Sequence, residues 1–345
     1  MNKYYKNRSV RHLGAGRFLL AAVLALLFAS CRQQEPVRLY GEAQGTYYSI
    51  LYYDAQQRNF QPQIDSLLAA FDLSASLWVD SSLLRRLNAN LTDSLDAVLD
   101  SLLRYSLYIN HYTQGAFDCR VGRLVQTWGF SFKKRCEPDS AMLADLMKAS
   151  HAAVEISPAG RLVKECPATE LDFNAIAQGY ASDLVARFLA SHNIDNYLVD
   201  IGGEVIAHGR KADGSPWRVG IERPAEDSLS SPVVETAIPL TDQSVVTSGS
   251  YRKYYEKEGV KYSHTIDPST GRPVTHTLLS ASVVEKECWL ADAMATAYMV
   301  MGLDNAKRFI AAHPNGPGTG AVFFIYDSCG VMKTYATKEW NKLNE

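Results

Sequence analysis

No acidic residue precedes Glu35 in this 345-residue chain, and no two of its six cysteines have C-x-x-C spacing. The second absence argues against a structural zinc site, which is commonly built on such pairs. An excess of positive charge is missing too. With 35 Lys and Arg against 37 Asp and Glu, the chain lacks the basic balance that binds a nucleic-acid backbone. Nor is there an apolar run of the ~20 residues that an ordinary membrane-spanning helix needs. Beyond about Val37 there is no low-complexity linker, repeat or long charge run, so nothing divides the body into separable domains. Apolar residues make up 47%, enough for a full core.

What is present begins with a leader. Lys3, Lys6, Arg8, Arg11 and Arg17 precede an apolar run from Phe18 to Ala29. A basic start, a run of roughly a dozen apolar residues and small residues at its end make a secretory signal over residues 1–30. It ends in Phe28-Ala29-Ser30-Cys31, which resembles a bacterial lipobox, with Phe28 where Leu is usual. Cys31 is then expected to open the mature protein and carry lipid, followed by a short polar tether over 31–37 and one domain over 38–345. The expected location is an exported bacterial lipoprotein, anchored in a membrane and facing the periplasm. Setting the five basic leader residues aside, 30 basic residues face 37 acidic ones, a net charge of −7. The five cysteines beyond Cys31 are an odd number, so at least one stays unpaired within the chain, and no particular pair is indicated.

The body mixes two periodicities. Ile64, Leu67, Leu68 and Phe71 recur at helical spacing, as do Leu95, Val98, Leu99 and Leu102. Trp217 to Ile221 alternates as a half-buried strand does. Ala321–Tyr326 and Val331–Thr334 predict a hairpin around Ser328-Cys329-Gly330, and apolar stretches flanking Gly202-Gly203 predict another strand–turn–strand. The pattern is α+β, a two-lobed single unit.

Four segments are richer in polar and small residues than folding alone requires. Gly115-Ala116-Phe117-Asp118 is a small-residue turn ending in a carboxylate, able to hold a ligand amide or hydroxyl. Leu171 to Tyr180 runs into a helical pattern, and small residues at a helix start let backbone groups approach an anion. Its plainer role is a helix N-cap by Asp172 or Asn174. Val246-Thr247-Ser248-Gly249 through Tyr251 to His264-Thr265-Ile266-Asp267-Pro268-Ser269-Thr270-Gly271 crowds hydroxyls, a histidine and a carboxylate around two turns. Ala291 to Thr296 lies on a helix expected to end near Gly302, with Asp292 and Thr296 one turn apart on one face. A carboxylate and a hydroxyl there suit Mg²⁺, which takes few protein ligands.

In this order the four segments resemble the ApbE family of FAD:protein FMN transferases, from roughly Gly41 to Thr334. The family's Met-Gly-Thr stands here as Gln44-Gly45-Thr46, and its aromatic as Trp78, ahead of Ser82 and Leu87-Asn88. Gly-Ala-Phe-Asp matches outright. The Asp-Leu-Gly-Ala-Ile-Ala-Lys-Gly pattern becomes Asp172 to Gly179, with Gln178 for lysine. Val199 to Glu204, Thr247 to Tyr251, Ser263 to Gly271 and Ala291 to Thr296 complete the series.

The resemblance implies a T-fold-like catalytic unit and a reaction. FAD is implied to contact Gln44, Trp78, Ala116, Phe117, Asp118, Asp172, Gln178 and Ile266. Mg²⁺ is implied to be held by the carbonyl of Ala175 with Asp292 and Thr296. A threonine hydroxyl of an acceptor flavoprotein, expected to be a membrane redox subunit, would attack the FMN-side phosphorus and release AMP. His264 is the candidate to accept the hydroxyl proton or to contact phosphate. Two other readings use the same residues: a pyrophosphatase giving free FMN and AMP, and a non-catalytic FAD-binding lipoprotein. The second needs a broken metal site, whereas Asp292 and Thr296 are both present.

Overall fold

The computed structural model describes residues 35–130, 136–223, 233–250, 254–257 and 260–345, with only the backbone of 254–257 and 260–263. The leader, Cys31 and Tyr251 lie outside the described residues. So does most of the tether; the first strand already begins at Val37.

Eight strands form one open antiparallel sheet: β1 (Val37–Ala43), β2 (Thr46–Tyr52), β3 (Tyr197–Ile201), β4 (Glu204–His208), β5 (Gln243–Gly249), β6 (Leu278–Glu285), β7 (Ala321–Ser328) and β8 (Val331–Ala336). Their order in the sheet is their order in the chain, each paired antiparallel with the next. Short connections therefore become tight turns. Cys329 and Gly330 (φ 57° and 81°) make the two-residue β7–β8 turn, whose positive angles match the right-handed twist of the flanking strands. Gly202 and Gly203 turn β3 into β4, as expected. The β1–β2 turn, Gln44-Gly45 (φ 55° and 72°), is of the same kind.

Helices cover one face, all but the last of them. They are α1 (Gln61–Ala75), α2 (Leu83–Asn88), α3 (Ala97–Tyr112), α4 (Gly122–Thr127), α5 (Ser140–His151), α6 (Ala177–Ser191), α7 (Cys288–Ala312) and, at the far end, α8 (Lys338–Lys342). The expected spacing at Ile64–Phe71 is α1. Leu95 lies just ahead of α3, because Asp96 caps that helix by accepting from Leu99 N at 2.8 Å. The main core lies between the helices and the sheet, with Ile50, Val199, Ala281 and Phe324 on the sheet side and Leu68, Leu99, Val185 and Ala295 on the helix side. A second core lies under the opposite face, where the Trp217–Arg223 and Val233–Leu240 hairpin and α8 pack Trp217, Ile238 and Trp340 onto Val205, Val245 and Phe323. The α+β reading is thus correct, as two layers on an unclosed sheet. Each fully buried Leu, Ile or Phe contributes about 1.5–3 kcal/mol of burial.

Two helices place the chemistry. In its first half α7 carries Ala291, Ala293, Ala295 and Ala297, all buried, and side chains this small let it lie close against β5, β6 and α6. It breaks at Gly302 (φ 71°, ψ 167°), where the helix was expected to end, and a second helical stretch continues to Ala312. The five cysteines among the described residues are free thiols, Cys119 and Cys288 of them buried.

Candidate active site

The residues before α6 do not cap it. Ile176 occupies the N-cap position and makes no side-chain cap bond, contrary to the expected cap by Asp172 or Asn174. Asp172 is buried, with 6% of its surface exposed. Its Oδ1 accepts from Asn174 N at 2.8 Å, while Oδ2 has no partner. Burial pushes this carboxyl up to about 6. In the first turn of α6, Gly179 N donates to Asp292 Oδ2 at 3.0 Å. As a first-turn amide of α6 it has no partner within the helix, and the carbonyl of Ala175, just ahead of the N-cap, takes no backbone amide among the described residues. The glycine is required. A Cβ at 179 would lie 2.6 Å from the carbonyl oxygen of Cys288 and 2.8 Å from Asp292 Cβ.

Asp292 itself is buried, 4% exposed. Desolvation pushes its carboxyl up, the Gly179 amide opposes this, and the nearby Asp183 carboxylate adds to it. No cationic side chain among the described residues pairs with it. One turn on, the Thr296 hydroxyl lies 3.2 Å from Ser248 Oγ on β5. A buried carboxylate without a cation, with a hydroxyl one turn on, offers the oxygen donors that fit Mg²⁺, and the unbonded Ala175 carbonyl ahead of α6 is a further oxygen of that kind. Among the described residues no three His, Cys, Asp or Glu side chains converge, so no zinc-like cluster competes.

Two glutamines flank this group. Gln178 sets its Nε2 against the β3–β4 turn: a Cβ at Gly202 would lie 2.8 Å from it and 2.7 Å from Thr46 Cγ2. Gln44 buries both atoms of its side-chain amide without a partner. The Asp172 and Gln44 side chains therefore each hold an unused buried polar atom.

Further along α7 the site opens. Val300, Met301 and Asn305, from one turn beyond Thr296, line a cavity of about 750 Å³ together with Ala116, Asp118 and Asp267. Asp118 is locked by Arg120, which donates from Nη2 at 2.7 Å and Nε at 2.9 Å. Asp267 collects Ser269 N, Ser269 Oγ and Thr270 Oγ1 at 2.8, 2.7 and 3.1 Å. The structure thus joins Ala116 and Asp118 to the Asp267 turn, and links that cavity through α7 to Asp292 and Thr296.

Other expected contacts sit differently. Phe117 is core, 2% exposed. Its N–H goes to Thr113 Oγ1 and its carbonyl accepts from Asn110 Nδ2, so it shapes the turn and offers a ligand nothing. Ile266 packs its side chain into a small cluster with Leu124, Trp128 and Leu146, which leaves only backbone for a ligand. Trp78 is 60% exposed just beyond α1. His264 is half-buried, its ring edge-on to Phe130 at 6.4 Å. Arg120 and Asp183 belong to none of the four polar segments of the sequence. Asp183 lies one turn after Gly179, which was the available signal.

The model of the ApbE family matches residues 44–320. An FAD:protein FMN transferase of Vibrio cholerae is 38% identical over 308 residues, 86% of this chain and 91% of its own. That of Haemophilus influenzae is 31% identical over 345 residues, 95% and 97% of the two chains. Among solved structures, the flavin transferase ApbE from Vibrio cholerae aligns at 33% identity and a TM-score of 0.77, over 90% of this chain and 99% of that one. With the family model matching well over half of its residues, this chain belongs to the ApbE family.

Proposed function

We propose that this chain transfers FMN from FAD to a threonine hydroxyl of an acceptor protein in a Mg²⁺-dependent reaction that releases AMP. The observation that carries the reading is the buried Asp292 carboxylate, paired with the Gly179 amide and no cation, one turn from Thr296; the Ala175 carbonyl, four residues before Gly179, takes no backbone amide among the described residues. These three oxygens would hold the metal. When bound, Mg²⁺ neutralises charge on the pyrophosphate and on the departing AMP oxygen.

The chain's own residues do the rest. The cavity beside Ala116 and Asp118 holds part of FAD, and the ion pair to Arg120 keeps that wall rigid. Asp172 Oδ2 accepts from a ligand N–H or O–H group, and the Gln44 amide meets a polar ring edge. The acceptor threonine oxygen bonds to the phosphorus of the FMN half. The bond from that phosphorus to the bridging oxygen breaks, AMP takes the electron pair, and the imidazole of His264 takes the hydroxyl proton. Exclusion of water from the buried metal group favours transfer over hydrolysis.

The acceptor in this reading is a redox subunit at a membrane, and lipid on Cys31 keeps the enzyme on that surface; the basic leader ending at Cys31 supports this. Incubating the protein with FAD, Mg²⁺ and cell-envelope proteins tests the reaction. A fluorescent flavin band that survives a denaturing gel, with one AMP per flavin attached, is expected. Free FMN and AMP without a labelled protein would mean a pyrophosphatase instead.

A further inference from the structure

Asp183 lies on α6 one turn beyond Gly179 and is almost fully buried, 2% exposed. Its two carboxylate oxygens accept from Cys288 N and Trp289 N, each at 2.9 Å. These are first-turn amides of α7, and the N-cap residue Glu287 makes no side-chain cap bond. The orphan donors of that helix end are thus satisfied by a carboxylate 105 residues away in the chain. One turn along both helices, Gly179 N meets Asp292 Oδ2. Gly179 and Asp183 are spaced i, i+4, and so are Cys288 and Asp292. Two bridges one turn apart fix both the register and the rotation of α7 against α6.

Burying a carboxylate costs free energy, offset here by two amide donors and the positive end of α7. A Ser or Asp at position 287 would cap the helix locally without that burial, but would tie α7 only to itself. The long-range cap instead fastens the helix bearing Asp292 and Thr296 to the helix whose start carries the Ala175 carbonyl. We infer that Asp183 is a positioning residue for the metal site: it touches no ligand, and it holds α7 in the register that brings the three oxygens together. The inference rests on the Mg²⁺ reading of that site. The gross placement of α7 has separate support, because Trp289 stacks on Tyr105 with ring centroids 4.0 Å apart. Loss of Asp183 should therefore loosen the register of α7 without ejecting the helix.

The test is calorimetric titration of the full chain with Mg²⁺ alone, alongside thermal melts. Asp183→Ala is expected to weaken Mg²⁺ binding about tenfold, in the range seen when groups supporting metal ligands are removed. Asp183→Asn, which keeps one acceptor oxygen, should recover part of the loss. Asp54→Ala is the control, since it removes a buried carboxylate that bonds Arg58 at the other end of α6. It should lower the melting temperature yet leave Mg²⁺ affinity within about twofold. Parent-like affinity in Asp183→Ala, or an equal loss in Asp54→Ala, overturns the inference. If Asp183→Ala does not fold, Asp183→Asn decides: unchanged affinity overturns it, weaker binding supports it. If the parent binds no Mg²⁺, or Asp292→Ala binds as the parent does, the metal reading fails first and takes this inference with it.

Discussion

The two ends of the site differ in how their charges are settled. Around the start of α6, the first half of α7 and the β1–β2 turn, polar groups are buried and underused: Asp172 Oδ2 and the Gln44 amide have no partner, and Asp292 has one amide and no cation. At the cavity end the carboxylates are already served, Asp118 by Arg120 and Asp267 by its own turn. An unsatisfied buried group costs about 1–3 kcal/mol and is retained only where something compensates. A satisfied group only gives shape. The buried end is therefore where ligand and metal supply what the fold withholds, while the cavity end is a preformed wall that selects by fit.

The strongest way to break this contrast is to neutralise Asp172. Its carboxyl is pushed up to about 6 from 3.8 by burial, so the folded protein holds a proton there that the unfolded chain releases. Stability from this group is intact below about pH 4, declines as pH rises toward 6, and is lost above. Asp172→Asn should therefore stabilise the ligand-free protein by roughly 1–2 kcal/mol at pH 7.5, less than the full linkage value because the amide is imperfectly paired. The gain should vanish near pH 4. The same change should weaken FAD binding about tenfold or more, since a charge-assisted hydrogen bond is lost. Melts at the two pH values with FAD titrations check both. A variant that is less stable and binds FAD normally would show Asp172 to be ordinary structure.

A smaller effect is expected at Gln178, which stands where the pattern that the sequence resembles has lysine. Its Nε2 abuts Gly202 and Thr46 beside the metal group. Gln178→Lys should tighten FAD binding only about threefold and make it more salt-sensitive, because an added ion pair at a partly exposed position is weak and screened. Equal affinities at low and high ionic strength would place position 178 away from phosphate.

Much of this was legible in the sequence, for identifiable reasons. Alternation at Trp217–Ile221 and the Gly202-Gly203 and Cys329-Gly330 turns are local signals, and they gave strands and hairpins directly. Asp292 and Thr296 share a face by helical spacing alone. Other features depend on distant partners. The β1–β2 turn was missed because Gln44 is an unusual residue at positive φ. The expected N-cap failed because Asp172 faces inward and caps nothing. Phe117 and Ile266 sit inside ligand-like motifs, yet their apolar side chains joined the core, as burial dictates. Asp183 reads as one more helical acid until α7 is packed against it.

The central claim is that Asp292 joins the metal to FAD binding. It is tested most directly by measuring FAD affinity with and without Mg²⁺ in the parent and in Asp292→Ala. Two ligands that share a site must each change the other's affinity by the same factor. The account predicts that Mg²⁺ tightens FAD binding about tenfold or more in the parent and has no effect in Asp292→Ala, whose metal-free FAD affinity stays near the parent's. An equal Mg²⁺ response in both proteins would contradict it.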